Sequence, residues 1–173
     1  MGEKGTVYFF TGLSGAGKTT IGRLFYERLA ARKENVVLKD SDGLRVMPEG
    51  QSDYSTEARV IRAKIRFAEY KELAEQGTDV VFCSIAMYDE VRAWNKANID
   101  NYKEIYIKVS METLYRRDKK SLYSSGAKNV VGVDLPWDEP KTADIVIEND
   151  GRETPEVFVR RIERTFFGES YDE

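Results

Sequence analysis

The segment Gly12-Leu13-Ser14-Gly15-Ala16-Gly17-Lys18-Thr19 holds the densest chemistry in the chain. Its spacing fits G-x-x-x-x-G-K-S/T, in which glycines let consecutive backbone N–H groups turn inward on a phosphate. Lys18 offers a charge to the β and γ oxygens of a triphosphate, and Thr19 offers a hydroxyl to Mg²⁺. A β-branched and aromatic run, Thr6 to Thr11, precedes the loop, and a helical pattern from about Thr19 to Arg32 follows it. The helix N-terminus therefore adds its partial positive charge at the same point. Gly12, Ser14, Gly15, Ala16, Gly17, Lys18, Thr19 and Thr20 form the expected triphosphate-binding set, and Lys18 is also a catalytic candidate because it faces developing charge.

A metal-side carboxylate is expected at the end of a buried strand, yet Val80-Val81-Phe82-Cys83-Ser84 ends in no acid. Asp40-Ser41-Asp42 instead follows the second strand-like run, Val36 to Lys39. Both carboxylates then sit at the carboxyl edge of a sheet, where α/β proteins bind ligands. Two acids there suit Mg²⁺ and a hydroxyl group. An ordinary turn built on Asp42 and Gly43 is the plain alternative, and the phosphate loop just upstream favours the site. Arg116, Arg117, Lys119, Lys120 and Lys128 form a cationic run before a glycine-punctuated loop. Its expected role is a lid at about 117–135 that closes over the triphosphate as the phosphoryl group moves.

Strand and helix patterns alternate along the chain and must position these groups. Ser55 reads as an N-cap opening a helix to about Gln76, and Thr78 to Ser84 returns as a buried strand. Tyr88 to about Asn98 reads as helix, Glu104 to Val109 as strand, and Ser110 caps a helix running into the basic segment. Ala143 to Ile147 is the last expected strand. Thr154-Pro155-Glu156 then opens a helix ending near Gly168, with Glu169 to Glu173 expected to fray. Such alternation implies right-handed βαβ units and a mostly parallel sheet covered on both faces, a three-layer α/β P-loop NTPase fold. Its length of 173 residues suits one domain.

Composition removes several classes of mechanism. No histidine is present, which excludes the Ser-His-Asp relay, the Cys-His nucleophile and zinc sites built on imidazole. A net charge of -3 argues against a nucleic-acid surface, since duplex binding needs a clustered basic face. The one cysteine, Cys83, cannot form an internal disulfide and sits in an apolar run as a small core hydrophobe. No apolar stretch approaches the length needed to span a bilayer, and a reducing cytosol is the expected compartment. Beyond a small-molecule acceptor, the expected partner is at most a second copy of the chain in a homodimer.

Four separated segments resemble the adenylylsulfate kinase family, whose members transfer the γ-phosphate of ATP to the ribose 3'-hydroxyl of adenosine phosphosulfate. Asp40-Ser41-Asp42-Gly43-Leu44-Arg45 is similar to the family's D-G-D-N-x-R, and Tyr54-Ser55-Thr56-Glu57-Ala58-Arg59 to F-S-x-x-D-R. Arg117-Asp118-Lys119-Lys120-Ser121-Leu122-Tyr123 resembles R-D-x-K-G-L-Y, and Gly132 to Pro140 resembles G-I-D-D-P-Y-E-x-P. The resemblance implies ATP as co-substrate with Mg²⁺, and Asp42 as general base or metal partner with Asp40 beside it. It implies that Arg45 and Arg59 hold the acceptor nucleotide, that Arg117 stacks on the adenine, and that Tyr54 stands against the acceptor base. Arg62 and Lys120 complete the expected acceptor set. Which of Asp40 and Asp42 serves as base stays open.

The departures bear on the acceptor. Arg62 replaces an asparagine of the family pattern, Val130 replaces a base-stacking phenylalanine, and Asp89 places an acid where the family's F-I-S-P-Y-R has a cation. Adenylylsulfate is the first expectation. A related nucleotide is the second, such as the substrate of the cytidine diphosphoramidate kinases of capsule modification. A GTP-driven switch is the reading from another class, because Asp40 to Gly43 satisfies D-x-x-G and Asn95-Lys96-Ala97-Asn98 nearly satisfies N-K-x-D. The second near-match falls inside an expected helix and lacks the guanine-reading acid.

Overall fold

In the first strand, β1 (Val7–Thr11), alternate side chains serve opposite faces of the sheet, as the two-residue period of a strand requires. A computed structural model of the chain describes residues 2–40, 55–86, 88–117 and 137–172. Tyr8 and Phe10 meet Ile21, Phe25 and Leu29 of α1 (Lys18–Arg32) and Phe158, Val159 and Ile162 of α5 (Pro155–Phe167). Val7 and Phe9 meet Val60, Phe67 and Tyr70 of α2 (Thr56–Glu75) and Val91 of α3 (Asp89–Asn98). Each fully buried phenylalanine contributes on the order of 2 kcal/mol, so the central strand commits the chain to helices on both faces.

The five strands are β1, β2 (Val36–Asp40), β3 (Asp79–Ser84), β4 (Tyr102–Lys108) and β5 (Ile145–Glu148), joined entirely in parallel in the order β2-β3-β1-β4-β5. The three-layer α/β expectation holds. The chain leaves β1 towards β2 and β3 on one side and crosses to β4 and β5 on the other. The carboxyl end of β1 is thus the point where strand order reverses and a ligand crevice opens.

The helix starts follow their local chemistry. Ser55 accepts the Ala58 N–H at 3.2 Å, and Ser110 accepts the Thr113 N–H at 3.2 Å at the start of α4 (Met111–Arg117). Thr154 occupies the N-cap of α5 without a side-chain cap bond, and its carbonyl accepts from Val157 instead. Strand boundaries shift by one or two residues. β4 begins at Tyr102 rather than Glu104 because Tyr102 pairs with Val7, and β5 runs Ile145–Glu148 rather than from Ala143.

The C-terminal expectation is corrected. Glu169–Asp172 forms a 3-10 turn rather than a frayed tail. The Tyr171 ring packs 4.5 Å from that of Phe167, and the Arg32 guanidinium lies 4.0 Å from the Tyr171 centroid. Together these aromatic and cation–π contacts offset the entropy of ordering the turn.

Close approach of α1 to β3 depends on Gly22. A β-carbon there would fall 2.3 Å from the Cys83 sulfur and 3.5 Å from the Phe10 ring. Alanine gains about 1 kcal/mol over glycine in a helix interior, but overpacking costs about 1–3 kcal/mol. Gly22→Ala is therefore expected to lower the melting temperature, and Cys83→Ala in the same chain to recover part of the loss. Equal stability of Gly22→Ala and the parent in thermal denaturation would refute the contact.

Candidate active site

The phosphate loop sits at the crevice with its backbone fixed by neighbours. A β-carbon on Gly12 would lie 2.5 Å from the Ile107 carbonyl oxygen of β4, so only glycine lets the loop pass that strand. Gly15 and Gly17 have φ of 84° and 105°, left-handed values that open the loop, and Gly17 is the N-cap of α1. Leu13 is buried against Tyr106 and Leu114, anchoring the loop to β4 and α4. Ser14, Ala16 and Lys18 are all buried, and Lys18 Nζ donates to the Leu13 carbonyl at 3.2 Å.

Thr19 on the first turn of α1 donates its hydroxyl to Asp40 Oδ2 at 2.9 Å. The carboxylate missing from the end of β3 is thus supplied by the end of the neighbouring β2, where Asp40 stands in register with Cys83. The oxygen donors of Thr19 and Asp40 suit Mg²⁺, which prefers carboxylate, hydroxyl and phosphate ligands. Thr20 follows on the same turn and is exposed. Asp42, Arg45, Tyr54, Lys120 and the lid segment beyond Arg117 lie outside the described residues.

On the other side of the loop, Arg117 Nη2 donates to the Asn149 carbonyl at 2.8 Å, which places its guanidinium at the carboxyl end of β5. Asn149 also donates from Nδ2 to the Ala16 carbonyl at 2.8 Å. Nothing in the motif spacing pointed to Asn149. Its place just beyond a parallel strand, at the edge where ligands bind, was the one available signal.

The residues expected on the acceptor side that the structure describes, Arg59 and Arg62, lie on α2, near the start of α3. Arg59 lies near the Tyr88 hydroxyl, and Arg62 stands three residues further along the helix, on a neighbouring face. Burial raises the Tyr88 hydroxyl above its ordinary value, and the nearby Arg59 charge partly offsets this. Asp89 opens α3 with a largely exposed carboxylate that pairs with Arg92. Its backbone N–H donates to Asp138 Oδ2 at 2.9 Å, and Arg92 Nη2 donates to the Asp138 carbonyl at 2.9 Å. Asp138, overlooked in the sequence, thereby ties the chain just before Pro140 to the first turn of α3.

Arg92 continues inward to Glu104 of β4, its Nε 3.7 Å from Oε1, while the Tyr102 hydroxyl donates to Glu104 Oε2 at 2.8 Å. Asn95 donates to the same tyrosine at 3.3 Å. Of the near-match to a guanine-reading motif, Asn95 is buried on α3 against Tyr102 of β4, while Lys96 and Ala97 are exposed. Burial pushes the Glu104 carboxyl above its ordinary value, against the lowering by Tyr102 and Arg92.

These features define a P-loop kinase: a phosphate loop at the switch point of a parallel sheet, and an acid-backed threonine on the helix that follows it. The model of the adenylylsulphate kinase family matches residues 4–148, and the chain belongs to that family. Among its curated relatives is the cytidine diphosphoramidate kinase of Campylobacter jejuni, 39% identical over 160 residues, covering 90% of this chain and 93% of the relative. The adenylyl-sulfate kinase of Deinococcus deserti is 34% identical over 155 residues, covering 84% of this chain and 83% of the relative. An APS kinase of Mycobacterium tuberculosis, solved with AMPPNP and APS, has a TM-score of 0.81 at 24% identity, covering 95% of this chain and 99% of that one, and shares the fold. The chain is a kinase, as the expectation held, and no helix among the described residues is long and apolar enough to cross a membrane.

A pH dependence follows from Glu104. A carboxyl whose folded value is raised binds its proton more tightly in the native state, so its contribution falls as pH climbs from the ordinary glutamate range through the raised value. The stability of the parent relative to Glu104→Gln should therefore decline as pH rises across that window, read by thermal melts at a series of pH values. A difference that grows with pH would show that the Arg92 pairing outweighs burial.

Proposed function

We propose that the chain is a Mg²⁺- and ATP-dependent kinase that phosphorylates a sugar hydroxyl of a nucleotide bearing an amidated terminal phosphate, of the cytidine diphosphoramidate type. The observation that carries the choice is Asp89, an exposed carboxylate at the start of α3 where the family pattern has a cation. A sulfate carries only negative charge and acceptor oxygens, which a carboxylate repels. A phosphoramidate carries N–H donors, which a carboxylate accepts in a charge-assisted hydrogen bond. The greater identity to the Campylobacter jejuni enzyme than to the Deinococcus deserti one supports the same reading. Adenylylsulfate, the first expectation from the motifs, is the second reading and is favoured by the family match.

In the proposed reaction the backbone N–H groups from Gly12 to Gly17 and the Lys18 ammonium hold the β- and γ-phosphates. Thr19 and Asp40 would hold Mg²⁺, which would neutralise phosphate charge when bound. Arg45, Arg59 and Arg62 neutralise the acceptor's anionic groups, and Tyr54 stacks on its base. Asp42 takes the proton from the sugar hydroxyl as that oxygen bonds to the γ-phosphorus. The bond from the γ-phosphorus to the β-bridging oxygen breaks, and ADP leaves. Arg117 holds the adenine and Lys120 closes over the site.

Two measurements test this assignment. Given Mg-ATP and a panel of cytidine diphosphoramidate, adenylylsulfate and plain cytidine diphosphate, ADP release should be fastest with the amidated compound, and Asp89→Arg should shift preference towards adenylylsulfate. Turnover of adenylylsulfate alone would overturn the substrate choice and leave the kinase intact. Tight GTP binding with no acceptor phosphorylated would overturn the kinase reading itself.

The aspartates divide by their metal dependence. Lys18→Ala and Asp42→Asn should each raise the barrier by on the order of 3 kcal/mol with folding unchanged. Asp40→Asn should chiefly raise the Mg²⁺ concentration needed for half-maximal rate. Near-normal turnover by Asp42→Asn, with Asp40→Asn inactive at saturating metal, would reverse the two roles.

A further inference from the structure

Asn149 makes contacts in three directions. Its backbone N–H donates to the Lys108 carbonyl at 2.9 Å, fixing it to the end of β4. Its side-chain Nδ2 donates to the Ala16 carbonyl at 2.8 Å, and its own carbonyl accepts Arg117 Nη2 at 2.8 Å. The carboxamide also lies directly against Gly17, where a β-carbon would fall 2.5 Å from Nδ2. The neighbouring Asp150 accepts from Thr113 of α4 at 3.2 Å, so the turn after β5 is braced from a second side.

The Ala16 carbonyl and the Gly17 N–H belong to one planar trans peptide and point in opposite directions. A side chain that holds the carbonyl outward therefore holds the N–H inward, towards the concave side of the loop where phosphate binds. That constraint matters most here because Gly17, at φ 105°, has little intrinsic preference against rotating this peptide. The same residue fixes Arg117 through its backbone carbonyl.

We propose that Asn149 is a positioning residue for the triphosphate nucleotide: its side chain orients the Ala16–Gly17 peptide so that the Gly17 N–H faces phosphate, and its carbonyl sets Arg117 in register with that loop. The proposal rests on the kinase reading only in giving Arg117 the base end of ATP. It assigns no contact between Asn149 and the nucleotide.

Binding of Mg-AMPPNP, measured by calorimetry without acceptor, tests the idea independently of which acceptor is used. Asn149→Ala should weaken it roughly tenfold, as expected for losing one orienting hydrogen bond, while acceptor affinity and melting temperature stay near the parent values. Asn149→Asp keeps the shape but removes the donor at neutral pH. Its affinity should fall further, then recover relative to the parent as pH is lowered from about 7 towards about 4, through the ordinary aspartate range where a protonated carboxyl donates again. Should Asn149→Ala fail to fold, the pH recovery of Asn149→Asp decides. Affinity within twofold of the parent for both variants overturns the proposal. So does an equal loss of AMPPNP and acceptor binding with a lowered melting temperature and no pH recovery, which would make Asn149 merely structural. Binding of a GTP analogue in place of AMPPNP would strike the kinase reading and leave the orienting role standing.

Discussion

The passage of Gly12 beneath the Ile107 carbonyl is the constraint from which the site follows. Parallel strands place all five carboxyl ends on one edge, but only a chain without a β-carbon can turn away from β1 there without displacing β4. Once it does, Leu13 is carried into the cluster with Tyr106 and Leu114, and the loop is anchored at its tip. The helix that follows is then obliged to start under the crevice. Gly22 lets that helix settle close to β3, so α1 is fixed at both its first and second turns.

That placement decides how the acid is supplied. With α1 seated on β3, the Thr19 hydroxyl reaches the end of β2, and Asp40 meets it. A carboxylate at the end of β3 would lie next to β1 instead, and Ser84 occupies that end. With the acid on β2, the end of β3 leads on towards Tyr88 and α3.

How much of this was legible depended on how local the cause was. The phosphate loop was legible because its glycines, lysine and threonine act within one turn of backbone, and Ser55 and Ser110 were legible as caps for the same reason. Asp40 was legible as an edge carboxylate but its bond to Thr19 was not, since that depends on the packing of α1 against the sheet. Asn149 contacts a residue 133 positions away, and no spacing rule encodes such a pair. The tail was misread because its order comes from Arg32 and Phe167 meeting Tyr171, contacts that composition near a terminus does not announce. Asp138 and Glu104 were missed because an acid, whether exposed like Asp138 or buried like Glu104, reads as solvated charge until its partners are known.

The polar line from Asp89 through Arg92 to Glu104 gives the start of α3 a different character from the phosphate loop. Arg92 is buried, and its charge is shared among an exposed carboxylate, a backbone carbonyl and a buried carboxyl. Replacing Asp89 by a cation would set two positive groups together at the start of α3. The acid at Asp89 is therefore consistent with its own interior as well as with a donor-bearing ligand. Because Asp138 joins the same helix turn through its carboxylate and its carbonyl, the start of α3 and the chain at Asp138 rest on one set of charges.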